Sequence, residues 1–168
     1  VEALPEAEAI LFLPCDVPLL DADHVREFLA EVEARASFLS SGWVALGLSP
    51  KEWVRREFPR APYRFMRFAE GAFSASSLYA ASREALERMS GFLSVAGERR
   101  KSLVGLLRLV GWGNALRYLA GKLSLDEADA FTQRVWGVRT ILVRNCHPFT
   151  TMDCDTVSDY RFLLDYLQ

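Results

Sequence analysis

Apolar residues fall along the chain in two rhythms, and the changes of rhythm mark out its elements. Ile10–Leu13 is an unbroken apolar run, as expected for a strand covered on both faces. Val25, Phe28, Leu29 and Val32 then recur at helical spacing, with Asp21 or Asp23 ahead of them to cap a helix reaching about Ala36. Trp43–Leu48 reads as a second strand, followed by a short helix with Ser49 as cap and Pro50 in its first position. Pro59 to Pro62 breaks regular structure. Tyr63–Phe68 alternates aromatic and basic side chains like a hairpin arm, Glu70-Gly71 makes a turn, and Ala72–Ala80 gives a strand. Ser82 is placed to cap a helix over Arg83–Met89.

Helical spacing returns at Leu103–Val110 and, beyond Gly111-Trp112-Gly113, at Asn114–Leu123. Ser124 and Glu127 have capping-box spacing, so a helix should start there and end near Gly137. Val138–Val143 is strand-like with Arg139 exposed, and Asp155 or Thr156 can cap a last helix carrying Phe162, Leu163, Tyr166 and Leu167. Strands interleaved with helices define an α/β domain, and 168 residues suit a single one.

Composition narrows the function. Hydrophobic residues make up 51% and charged residues 25%, so the chain can build a core, and a formal charge of -2 gives no support for a nucleic-acid partner. No apolar run is long enough to span a membrane. Cys15, Cys146 and Cys154 are too few and too scattered for a disulfide framework, which suggests free thiols and a cytoplasmic setting. A zinc site sketched from Cys146, His147, Asp153 and Cys154 lacks a paired Cys-x-x-Cys element. His24 and His147 lack partners for nucleophilic catalysis and read as surface or local hydrogen-bonding residues.

The acids carry the chemistry. Asp16 leaves a strand at its carboxyl end, where open α/β sheets place ligands, although an aspartate before Val17-Pro18 also suits a turn. Asp153 and Asp155 approach the last helix, where Asp155 could equally be a cap. Brought together, Asp16 and this pair would suit magnesium, or manganese, which takes few carboxylates and fills its shell with water and phosphate oxygens.

Two segments carry a resemblance. Leu13-Pro14-Cys15-Asp16-Val17-Pro18-Leu19-Leu20 resembles the central strand and aspartate of the MobA-like nucleotidyltransferases, the superfamily of molybdenum-cofactor and sugar-phosphate nucleotidyltransferases. Asp153-Cys154-Asp155-Thr156-Val157-Ser158-Asp159-Tyr160 resembles their carboxy-terminal Asp-x-Asp-Thr-Pro-Glu-Asp-Leu/Tyr segment. Gly111-Trp112-Gly113 and Gly121–Ala128 resemble a bacterial subgroup.

The resemblance implies a doubly wound, mostly parallel sheet of the nucleotide-diphospho-sugar transferase type. It implies metal-dependent transfer of a nucleotidyl group from a nucleoside triphosphate to a small phosphorylated or alcohol-bearing acceptor. Asp16 and Asp155 would then be the catalytic carboxylates and metal contacts, with Asp153 as an alternative contact. Ser77 stands where relatives present an asparagine to the substrate. Arg99, Arg100 and Lys101 either approach the acceptor phosphate or form a solvated face.

The chain departs from the pattern in three places. The glycine-rich amino-terminal loop and first βαβ unit are not in the sequence, which begins at Val1. Phe73-Ser74-Ala75-Ser76-Ser77-Leu78 replaces Phe-Thr-Gly-Gly-Asn-Leu, and Val157-Ser158 replaces Pro-Glu. We therefore expect further amino-terminal sequence, a second chain or a homo-oligomer to cover the sheet. The alternative is a degenerate domain that binds a partner rather than a nucleotide.

Overall fold

A computed structural model of the chain describes residues 6–61, 63, 65–90 and 112–167. In chain order the elements are β1 (Ala9–Phe12), α1 (Ala22–Ala36), β2 (Trp43–Pro50), α2 (Lys51–Glu57), β3 (Met66–Phe68), β4 (Gly71–Ser82) and α3 (83–90). They continue with α4 (Trp112–Leu119), α5 (Leu125–Trp136), β5 (Arg139–Val143), a 3-10 helix η1 (Pro148–Thr151) and α6 (Val157–Tyr166). None of the described helices is long and apolar enough to cross a membrane. The helix expected over Leu103–Val110 lies outside the described residues.

The strands form one sheet in the order β1-β4-β2-β5, with β3 also paired to β4. β4 runs antiparallel to β1, β2 and β3, and only β2 and β5 pair in parallel. This corrects the mostly parallel sheet expected from the resemblance: the described residues form a mixed α/β fold whose sheet is mostly antiparallel. Run length and periodicity report how deeply a strand is buried and carry no sign for its direction. β1, β2 and β5 nevertheless share one direction, so their carboxyl ends meet at one rim, with β4 inserted head to tail between β1 and β2.

β1 pairs only with β4 among the described residues, and Phe12 and Leu13 are 43% and 51% exposed. The two-sided cover expected of this strand is thus not supplied by the described elements. One face of the sheet is covered by α1, whose Phe28 and Val32 pack on Ala45, Leu78, Ala80, Ile141 and Val143. Val25 and Leu29 flank that contact, completing the stripe read from the sequence. Each fully buried side chain of this size contributes about 1.5–3 kcal/mol. Gly47 is required here: a Cβ would lie 2.6 Å from that of Ser76 and 2.8 Å from the Cys146 sulfur.

A second cluster ties the end of the chain to α2. Val54, Phe58, Ala61, Met152 and Leu163 are buried together, with Tyr63, Phe149, Phe162 and Tyr166 packed around them. Tyr63 and Phe65 belong to this packing, so the expected strand Tyr63–Phe68 shortens to Met66–Phe68.

The caps follow side-chain chemistry closely. Asp21 caps α1 by accepting from the amides of Asp23 and His24, Ser124 and Glu127 form the expected box, and Gly137 ends α5 in the left-handed region at φ 65°. Ser82 accepts from the Ala85 amide at the start of α3. Ser49 differs: it is buried at the end of β2, and Pro50 rather than Ser49 precedes the first turn of α2.

Candidate functional site

The rim where β1 ends is built from two distant segments of the chain. After Phe12 the chain leaves the sheet, passes Pro14 and Cys15, and turns through Val17–Leu20, where the Leu20 amide donates to the Val17 carbonyl at 3.1 Å. Asp16 sits at the start of this turn with its side chain exposed. Its carbonyl accepts from the Cys154 amide at 2.9 Å. That single bond places the segment Met152–Asp155 beside Cys15–Val17 although 138 positions separate the bonded residues (154 minus 16).

The tail is held on both sides of its acids. Before them, Thr150 and Thr151 of η1 are buried, their hydroxyls satisfied within the turn by the carbonyls of His147 and Pro148 at 2.8 and 2.7 Å. Met152 is 3% exposed in the second cluster, and the Tyr63 hydroxyl donates to its sulfur at 3.0 Å. After them, Thr156 rather than Asp155 caps α6. Its hydroxyl accepts from the Asp159 amide, while the Asp159 carboxylate accepts from the Thr156 amide at 2.8 Å. The cap is filled without Asp155, which stays exposed, as does Asp153.

These acids share one electrostatic field. Partial desolvation raises the Asp153 carboxyl above the ordinary range, and the charges of Asp155, Asp159 and Asp16 push it further, against a lowering bond from its own amide. Two tyrosines register the same field. Burial lifts Tyr63 to about 12, with Asp153 and Asp159 adding to the rise, and burial then Asp153 lift Tyr79. At neutral pH both phenols are therefore protonated hydrogen-bond donors. Tyr79 pairs with Phe12 on β1, and Ser77, half-buried, lies two residues earlier on β4, within the register shift between the Leu46–Tyr79 and Leu48–Ala75 pairs.

The sequence-derived set is thus brought together in part. Asp16 lies beside the Asp153–Asp155 segment, Ser77 faces the same end of the sheet, and Lys101, with Arg99 and Arg100, lies outside the described residues. Among the described residues no three His, Cys, Asp or Glu side chains gather closely enough to hold an ion unaided. Asp16, Asp153 and Asp155 therefore form no closed cage, and the sketched zinc grouping does not assemble. Cys146 is buried against the sheet, its thiol pushed up to about 11 chiefly by burial. An open arrangement of hard carboxylates suits magnesium, which keeps several waters and binds through one or two acids plus phosphate.

Sequence reading missed Tyr63 and Tyr79. The period-2 spacing of Ala75, Ser77 and Tyr79 was the available signal for Tyr79; Tyr63 arrives through tertiary packing alone.

Comparison with known proteins gives one informative result. The sequence matches no family model and no curated protein. The fold is similar to a solved structure described as a hypothetical transferase from Thermus thermophilus, with a TM-score of 0.80 and 29% identity. The match covers 94% of this chain and 66% of that one.

Proposed function

We propose that the rim formed by Asp16 and the Asp153–Asp155 segment is the metal and phosphate side of a nucleotidyl-transfer site. The donor would be a nucleoside triphosphate, the acceptor a small phosphorylated or alcohol-bearing molecule, and the second product pyrophosphate. The observation that carries this reading is the Cys154 amide bond to the Asp16 carbonyl, which joins the two acidic segments at the carboxyl end of β1. The Thermus similarity supports a transferase at the coarser level.

Asp16 and Asp155 would hold a magnesium or manganese ion, with Asp153 next to them. When bound, the ion would screen phosphate charge and stabilise the departing pyrophosphate. The chain's own contribution is positioning. Burial of Met152, the Cys154 amide bond to Asp16 and the Thr156 cap hold the backbone on either side of the tail acids. Tyr79, protonated, and the Ser77 hydroxyl present donors toward the same rim. Asp153 is raised chiefly by partial desolvation and further by the charges of Asp155, Asp159 and Asp16, and a divalent ion at the rim would offset these charge contributions.

Calorimetric titration with magnesium or manganese and each of the four nucleoside triphosphates tests the proposal. Binding should require the metal, and Asp16→Asn and Asp155→Asn should each weaken it at least tenfold. Metal-independent binding, or affinity indifferent to both changes, refutes it and leaves a partner-binding domain as the better description.

A further inference from the structure

On the α1 face, away from the tail acids, two histidines stack. His24 in the first turn of α1 and His147 at the start of η1 have ring centroids 4.5 Å apart and planes inclined by 24°. Phe149 meets both rings edge-on, at 5.7 Å from His24 and 4.5 Å from His147. Each imidazole also closes a cap. Nδ1 of His24 accepts from the Asp21 amide and Nδ1 of His147 accepts from the Phe149 amide, both at 3.3 Å. A nitrogen that accepts such a bond carries no proton, so the Phe149 bond requires a neutral His147 with hydrogen on Nε2, whereas Nδ1 of His24 has a carboxylate oxygen as well as an amide within reach.

The rings border a cavity of about 420 Å³ that also touches Glu27, Glu31, Arg35 and Arg144. Protons can reach the pair from that side.

Protonation acts on the two rings differently. Nδ1 of His24 lies 3.1 Å from the Asp21 carboxylate, so a protonated His24 exchanges its cap bond for an ion pair. His147 has no carboxylate at bonding distance among the described residues. Glu57 on α2 and Glu27 and Asp21 on α1 favour its charge at longer range, while burial and His24 oppose it and set its value below the ordinary one. Once His24 is charged, a second proton meets a like charge across the stack.

We propose that the His24–His147 stack is a proton-sensitive latch joining α1 to η1. Neutral, the pair closes both caps and seats the turn that leads into Met152–Asp155. Charged, it gives up the cap at Phe149 and repels across the stack, and the tail loosens. The direction follows from linkage. His147 has a folded value below that of the unfolded chain, near 6.5. Its stabilising contribution is complete above that pH and is lost as pH falls through it toward the folded value. The latch stands whether or not the tail acids bind a metal.

Amide hydrogen exchange at Phe149, Thr150 and Thr151, corrected for intrinsic rates, tests it alongside an NMR titration of both imidazoles. Exchange should quicken at least tenfold between pH 7.5 and 5.5, following the protonation of His147. His147→Asn keeps an acceptor for the Phe149 amide but does not titrate, so its profile should be flat. His24→Gln keeps the α1 capping acceptor and should narrow the pH response; it serves if the first variant folds poorly. Exchange that does not change as His147 protonates overturns the proposal, and so does a variant profile identical to that of the parent.

Discussion

Replacing Phe58 by alanine is the sharpest trial of how the tail is held. Phe58 is wholly buried at the end of α2, with ring centroids 5.2–6.0 Å from those of Tyr63, Phe149, Phe162 and Tyr166. Removing a buried phenyl ring costs about 3–5 kcal/mol in lost transfer energy and cavity. Four aromatic neighbours place this site toward the upper end, since each ring pair adds about 0.5–1.5 kcal/mol beyond area. With a urea slope of about 2 kcal/mol per molar, the midpoint should fall by about 1.5–2.5 M. Trp53→Ala is the control on the same helix: that indole is 40% exposed, and its loss should cost about 1 kcal/mol or less. Equilibrium urea unfolding by circular dichroism measures both. A midpoint shift under about 0.5 M for Phe58→Ala, or one no larger than that of Trp53→Ala, would refute the claim that this cluster anchors the tail.

Other changes probe neighbouring features. Asp153→Asn removes a carboxyl whose value is raised in the folded chain, so the parent is penalised at pH above that value and relieved as pH falls through it. The variant should be more stable at pH 7 by up to about 1 kcal/mol, screened by solvent, with the gain vanishing in acid; thermal unfolding at pH 7 and pH 4 reads this, and a less stable variant at pH 7 contradicts it. Gly47→Ala forces a methyl group against Ser76 and Cys146 and should cost about 1–3 kcal/mol in urea, partly recovered by adding Ser76→Gly. Cys15, exposed, should take up maleimide at pH 7.5 while Cys146 stays unlabelled until the protein is unfolded, as peptide mass mapping will show.

Much of the fold was legible because its signals are local. The Ser124–Glu127 box, the Gly137 stop and the Val25–Val32 stripe depend on a few successive residues and appear where the pattern put them. Strand direction was legible only for the β3–β4 pair, where the Glu70-Gly71 turn joins antiparallel neighbours. Nothing local shows that β4 inserts against β1 and β2, and the resemblance pointed to parallel neighbours instead. The same divide runs through the site. Asp16, Asp153 and Asp155 stand out as acids at element ends, and the approach of their two segments depends on a backbone bond between residues near opposite ends of the chain. Thr156 displaced Asp155 as cap because Asp159, three positions on, completes a reciprocal pair with it. The histidine stack had no signature at all: two isolated imidazoles become partners only when η1 docks on α1.

The reversed strand has one more consequence. Because β4 runs against its neighbours, it brings its beginning rather than its end to the edge where the acids gather. The β3–β4 hairpin therefore projects past the last residue of β1, and the Ala69 amide at its turn donates to the Leu123 carbonyl at 2.9 Å. On the proposed reading, changes to this hairpin would leave Asp16, Asp153 and Asp155 in place, because none of the three lies on β3 or β4.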